Sequence, residues 1–482
     1  MTLLALACSL VLSACGTRLS NSQAQQQLST LGEGGSVAAG TGAPQGTTSG
    51  AGTTDGSTTT GGAPAGTSGG GAGTGTAATG GSAGGGTGAA GSTGGTGGTA
   101  GGATTGSGAG SGATTGAATS GGKAPIVVGM NCNCSGVIGA ANAPSRDAYR
   151  AWVQATNAKG GIDGHPIKLL YADDNNSSSQ DLSNVKQFVE QGKAIALVNF
   201  YGAAGGNAPV AQYAQKAGIP IVGGDGYSPE WTKYPSMFST ATSDEAQDYG
   251  WAAELKAAGN KKVGAIYCVE GQVCADKEAV WKKFAQQLGL NVAYESQKSL
   301  ASPDFSSDCL SARNAGVEGM VPILDGASAT RVARDCTRQN YKPTFIVSQP
   351  FDNPPATLEG AIAPIGSFPW FLTSGSPALT EYGQALAKYA ASGAHGSYSA
   401  TGWANAKLLE KALTGRVSAT PKPADVQAGL WAMKGETLGG LTAPLTFTKG
   451  KNASPIKCSF RAVVKGGKWT APVGMKLVDC QP

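Results

Sequence analysis

The chain runs to 482 residues, with 35 Lys and Arg against 30 Asp and Glu and with 76 glycines. From Lys123 onward its 34 basic and 28 acidic residues are scattered, without a basic run or a cationic stripe interleaved with aromatics, so nucleic acid is not an expected partner. The two histidines, His165 in a turn and His395 in a loop, read as exposed and offer neither a metal cluster nor an acid–base pair.

Residues 2–14 form an apolar segment too short to cross a bilayer as a permanent helix. The segment ends in Leu12-Ser13-Ala14-Cys15, which resembles the lipobox of bacterial lipoproteins, although no Lys or Arg precedes it. That resemblance implies a signal peptide over 1–15, cleavage before Cys15, a diacylglycerol on its thiol, and an extracytoplasmic protein anchored to the cell membrane. The alternative is an ordinary secretory signal with an incidental cysteine; either way the product is exported. Residues 16–122 carry no Lys or Arg after Arg18, no aromatic precedes Tyr149, and from about Gly34 the sequence is almost wholly Gly, Thr, Ala and Ser. Such a segment buries too little apolar surface to offset its ordering entropy, so it is expected to be a disordered tether. As a coil of about 90 residues its span is on the order of 50 Å.

Strand and helix patterns alternate from Lys123. A strand at 126–129 leads into a cysteine-bearing loop and a helix over 144–157 with Tyr149 and Trp152 on one face. A glycine turn at 160–164, a strand at 166–171, Asp173-Asp174 and a helix over 179–191 follow. Next comes the most telling stretch: an apolar strand at 194–200, a Gly/Ala loop at 201–207, and a helix over 208–217 that Asn207 is placed to cap. A strand at 219–223 closes this series. A second series runs from a helix at 244–258 through strands at 262–268, 292–297, 319–324 and 344–347, with helices at 275–288, 305–315 and 329–339 between them. Helices near 377–391, 401–413 and 424–433 and a β-rich tail over 446–469 complete the chain. Fully apolar strands alternating with helices argue two α/β lobes with parallel-sheet cores, whose ligands sit at the carboxyl ends of the strands.

Beyond Cys8 and Cys15 eight cysteines remain, an even number that in an exported chain reads as disulfides. Spacing does not fix the pairing. The economical scheme is sequential: Cys132–Cys134, Cys268–Cys274, Cys309–Cys336 and Cys458–Cys480. A metal site from the first four cysteines is the alternative, but their spacing fits no common zinc pattern.

Three segments carry a family likeness: NAKGGIDGHPIKLLYADD over 157–174, AGIPIV over 217–222, and GYSPEWT over 226–232. They resemble the type I periplasmic binding proteins, specifically the branched-chain amino-acid (Leu/Ile/Val) receptors of ABC importers. The order of elements from about 124 to 470 is similar as well, including a helix start at Ser397-Tyr-Ser-Ala400. The resemblance implies two Rossmann-like lobes joined by three crossovers, a Venus-flytrap. Lobe 1 would cover 123–242 with about 370–433 returning to it, and lobe 2 would cover 243–369 with about 434–482 completing it. It further implies a small-molecule solute, ABC permease subunits as partners, a monomer, and no cofactor, metal or enzymatic step.

The resemblance also places the pocket. The loop of small hydroxyl residues that holds a ligand carboxylate falls on Ala204, Gly205 and Asn207, where only Tyr201 upstream carries a hydroxyl. A second hydroxyl position falls on Tyr227, one cleft tyrosine on Gln272, another on Asp325 or its neighbour, and the ammonium-binding carboxylate on Gln349. An amide at 349 gives up the negative charge that pairs with an α-ammonium in a desolvated cleft, and Asp225 or Asp325 is the replacement to look for. The ligand expected is thus a small polar organic solute, amino-acid-like or an amide, but not an ordinary branched-chain amino acid held in the family manner. Each residue has a plainer reading too: Tyr201 and Tyr227 can plug the lobe surface, and Asp225 can turn the chain.

Two other functions compete. The glycine loop with Asp225 beyond it suggests dinucleotide binding, yet Gly202-Ala-Ala-Gly205-Gly206 is not G-x-G-x-x-G and follows the third strand. A hydrolase lacks a G-x-S-x-G elbow. A lipoprotein of the same fold that senses its ligand without transporting it is not separable from a transport protein by sequence.

Overall fold

The computed structural model describes residues 122–482 except 140, 203–206, 227, 349, 351–352 and 391–394. The signal peptide with Cys15, the tether, and the pocket positions Ala204, Gly205, Tyr227 and Gln349 therefore lie outside the described residues. Among the described residues no helix is long and apolar enough to cross a membrane.

Lobe 1 is built on five parallel strands, β1 (Ile126–Cys132), β2 (Ile167–Asp173), β3 (Ala196–Phe200), β4 (Ile221–Gly224) and β5 (Met237–Phe238), in the order β2-β1-β3-β4-β5. β3 and β4 are buried along their whole length, which explains why Asn199 is the one polar side chain in them. Helices α1 (Ala143–Ala158), α2 (Ser178–Lys186, continuing as a π-turn over Gln187–Gln191) and α3 (Ala208–Ala217) connect them. Lobe 2 repeats the plan after α4 (Asp244–Ala257), with β6 (Lys262–Cys268), β7 (Asn291–Lys298), β8 (Gly319–Ile323) and β9 (Thr344–Phe345) parallel in the order β7-β6-β8-β9. Its helices are α5 (Gln272–Gln287), α6 (Ser306–Asn314) and α7 (Gly326–Arg338).

The chain then returns. Helices α8 (Pro377–Tyr389) and α9 (Ser397–Leu413) pack on α1, α9 also touches β3 and β4, and α10 (Pro423–Ala432) packs on α9. The α1–α9 crossing is close: a Cβ on Gly402 would stand 2.2 Å from the Ser145 carbonyl oxygen, so only glycine fits there. After the hairpin of β11 (Lys434–Glu436) and β12 (Leu445–Thr446), the tail completes lobe 2. There β13 (Ser459–Lys465) runs antiparallel between β10 (Ile362–Ile365) and β14 (Lys468–Thr470), with β15 (Leu477–Val478) also on it. β10 went unread in the sequence because Pro364 breaks the strand pattern; β10 lies at the edge of this sheet, where proline is tolerated.

Three crossovers join the lobes and are stitched together. Thr242 N–H donates to the Gly366 carbonyl at 3.1 Å, the Thr242 hydroxyl donates to the Cys458 carbonyl at 2.6 Å, and Ser243 N–H donates to the Ile456 carbonyl at 2.9 Å. The cysteines pair as Cys132–Cys134, Cys268–Cys274, Cys309–Cys336 and Cys458–Cys480. His165, expected at the surface, is buried: its Nδ1 lies 2.6 Å from the Ala124 carbonyl, which draws the ring beneath the start of β1, while His395 is half-buried.

Candidate functional site

At the carboxyl ends of the lobe 1 strands lies a small buried cluster of aromatic rings and sulfur, with Cys132, Cys134 and Tyr201 all buried. β1 ends in Cys132, bonded to Cys134, and Tyr201 follows directly on β3; Asn133 N–H donates to the Tyr201 carbonyl at 2.8 Å. Tyr398, in the first turn of α9, stands with its ring 6.2 Å from that of Tyr201, and Tyr171 packs against the same cluster. Burial pushes the Tyr201 hydroxyl well above the ordinary tyrosine value, while the guanidinium groups of Arg146 and Arg150 stand 5.8 and 5.7 Å from the centre of the Tyr171 ring. Beneath the cluster, the Asn131 amide donates to Asp174 and Asp181 at 2.8 Å each and accepts from Asn184. Burial raises Asp174, opposed by Asn131 and the Asn176 N–H. Asp173 accepts from Ser135 and the Asn175 N–H, which fixes the loop that carries the disulfide.

A second buried network lies at the ends of β3, β4 and β5. Asn199, at φ +46°, accepts from the Ser145 hydroxyl at 2.9 Å and from Asn405 Nδ2 at 2.7 Å. Asn405, on α9, also donates to the Gly224 carbonyl and accepts from the Thr240 hydroxyl. These polar groups were missed in the sequence. The signal was there, a lone asparagine in the apolar run Ala196–Phe200 and another on the apolar face of α9, but not what they bond.

Asn207 does not cap α3 as expected: with φ −94° and ψ near 0° it lies outside the extended region a capping residue uses, no helix amide donates to its side chain, and its Nδ2 donates to Ser228 at 2.9 Å. Asp225, half-buried, accepts the Trp231 indole N–H at 2.8 Å. In lobe 2, Asp325 is the N-cap of α7, accepting from the amides of Ala327 and Ser328 at 2.9 and 3.1 Å and from the Ser328 hydroxyl, so both of its oxygens are engaged within its own helix. Gln272 opens α5 beside the Cys268–Cys274 ring, whose Val269 and Val273 are half-exposed apolar side chains. The structure thus brings Tyr201 and Tyr398 together, ties Asn207 and Asp225 to neighbours between β4 and β5, and leaves Asp325 on its own helix.

A cavity of about 370 Å³ lies beside the hinge, walled by Trp231 and Ser239 of lobe 1, Asp244 and Asp248 of lobe 2, and Phe447 and Ile456 of the third connection. Its carboxylates are neutralised on one side: Lys277 bonds Asp244 at 2.5 Å and Asp248 at 2.9 Å, and its ammonium lies 4.8 Å from the centre of the Trp251 ring. Among the described residues no group of His, Cys, Asp and Glu is arranged to hold a metal ion.

Comparison with known proteins gives a consistent picture. A family model described as periplasmic binding protein matches residues 125–468. The Leu/Ile/Val-binding protein homolog 2 of Brucella abortus (strain 2308) is 26% identical over 235 residues, 46% of this chain and 60% of the relative, so the match spans under two thirds of that protein's length. Among solved structures, a branched chain amino acid ABC transporter from Thermus thermophilus with bound valine aligns at a TM-score of 0.64 with 16% identity over 73% of this chain and 96% of that one. A solute binding protein of R. palustris in complex with 4-hydroxybenzoate aligns at 0.59 with 18% identity, over 74% and 98%. A possible leucine/isoleucine/valine-binding protein from Rhodopirellula baltica SH 1 aligns at 0.61 with 16% identity, over 75% and 100%. At these identities the structural likeness is one of fold.

Proposed function

Because the chain belongs to the type I periplasmic binding protein family, we propose that it is an extracytoplasmic solute-binding protein of an ABC importer, capturing a small polar organic ligand between its lobes and presenting the closed form to a membrane permease. The observation that carries this reading is the hinge. Three crossovers meet at Thr242 and Ser243, the arrangement of a pivot between two lobes, and a ligand that contacts both lobes favours the closed form. Binding, hinge rotation and release involve no covalent step. The Leu12–Cys15 pattern supports a lipid anchor, with the long Gly/Thr segment as tether.

The ligand is not a branched-chain amino acid held by an ammonium–carboxylate pair. Asp325 is engaged within α7, Asp225 accepts the Trp231 indole, and position 349 is an amide. Mass spectrometry of small molecules released from the purified protein tests the reading: a stoichiometric organic solute is expected. Calorimetry with leucine should give no binding at micromolar concentration, and low-micromolar or tighter affinity would overturn the ligand assignment.

A further inference from the structure

The ends of β3 and β4 are joined to the pivot through one buried amide, and we propose that Asn405 is a positioning residue that, through Thr240, makes the ligand loops and the first crossover move as a unit. The proposal rests on the hinge-closure reading above.

Asn405 is fully buried on a helix that otherwise packs with apolar and small residues. A neutral amide in such a place is costly unless its hydrogen bonds are made, and here they go to three different elements. Nδ2 donates to Asn199 Oδ1 at 2.7 Å and to the Gly224 carbonyl at 3.3 Å, while Oδ1 accepts from the Thr240 hydroxyl. Asn199 stands two residues before Tyr201, and Gly224 immediately before Asp225, so both bonds fall where the candidate ligand loops leave the sheet. Thr240 stands two residues before Thr242, which bonds the second and third crossovers.

The backbone is shaped to admit this amide. Gly223 has φ +71°, and a Cβ there would lie 2.4 Å from the Asn405 carboxamide. A side chain at 223 and an amide at 405 exclude each other. The path is therefore specific, from the loops through Asn405 and Thr240 to the pivot. The remaining bond to Asn199, from Ser145 of α1, makes no contact with Thr240 and supplies a control.

Coupling is reciprocal, so loosening the hinge end must loosen the cleft end. Amide hydrogen exchange on the full chain, with no ligand added, reads this directly. Thr240→Val keeps the shape and removes the hydroxyl; it should speed exchange on the order of tenfold both over 239–243 and at the strand ends, 197–202 and 222–226. Thr240→Ser should restore the wild-type pattern. Ser145→Ala should affect 197–202 and leave 239–243 unchanged. The proposal is overturned if T240V speeds exchange only over 239–243, or raises it uniformly across lobe 1. If T240V does not fold, Thr240→Ala is read by the same criteria. No ligand enters the measurement, so a failure of the solute-binding reading leaves its outcome intact, and absence of closure on adding the co-purified solute would count against that reading alone.

Discussion

In lobe 1 the ends of β3 and β4 are held by a neutral side chain from a distant part of the chain, with Asn405 bonding Asn199 across 206 residues and the Gly224 carbonyl across 181. In lobe 2 the ends of β6 and β8 are held by near neighbours, the Cys268–Cys274 bridge across six residues and the Asp325 cap three residues from Ser328, and Cys309–Cys336 pins α6 to α7 across 27 residues. A wall held by local contacts forms with its own segment of chain. A wall held by a returning helix is complete only when that helix has docked, and its geometry can respond to what happens at the crossovers. The difference suggests unequal roles, with lobe 2 a preformed jaw and lobe 1 the jaw whose loops are adjusted through the hinge.

Three variants bear on this contrast. The largest effect is expected from Gly402→Ala, whose Cβ would press on the Ser145 carbonyl where α9 crosses α1. It should cost about 3 kcal/mol and lower the lobe 1 transition in calorimetry, leaving that of lobe 2 in place. A single shifted transition would show that the lobes do not melt separately and would weaken the contrast. Replacing Cys309 and Cys336 together by Ala should cost roughly 2–4 kcal/mol, confined to the lobe 2 transition. A smaller effect is expected from pH. Glu254 on α4 is pushed up to about 8 by burial and by the neighbouring Asp479, against the pull of Arg461 on β13, with which it forms an ion pair. An acid whose value is raised on folding stabilises fully below its unfolded value of 4.5 and loses that contribution as pH rises through the folded one, so lobe 2 should lose stability between about pH 5 and 8. Glu254→Gln should flatten that slope in a melting series, and an unchanged slope would assign it to other groups.

The layers of both lobes were legible because fully buried parallel strands announce themselves as apolar runs, and β3 and β6 were found within two residues of their ends. What escaped has a common cause: it depends on partners far away in sequence. Asn405 reads as an interruption in a helix until Asn199, Gly224 and Thr240 are seen around it. Asn207 has the right type and place for a cap, but its backbone is not extended there and no helix amide reaches its side chain, while its Nδ2 bonds Ser228, 21 residues on. Tyr398 belonged to a recognised helix start, yet nothing local says that its ring meets Tyr201. Asp325 illustrates the converse, since a residue at a candidate cleft position also sat one place before a helix, and the local role is the one its hydrogen bonds fulfil.

The stitching of the crossovers has a consequence for how such a protein can change. Two of its four bonds, from the amides of Thr242 and Ser243 to the carbonyls of Gly366 and Ile456, run from main chain to main chain. Amino-acid replacement at those positions leaves these two bonds available, whereas insertion or deletion in any one crossover slides them out of register. The pivot therefore constrains segment length far more than residue identity, so the residues of the strand-end loops can change while the arrangement of the crossovers is inherited unchanged.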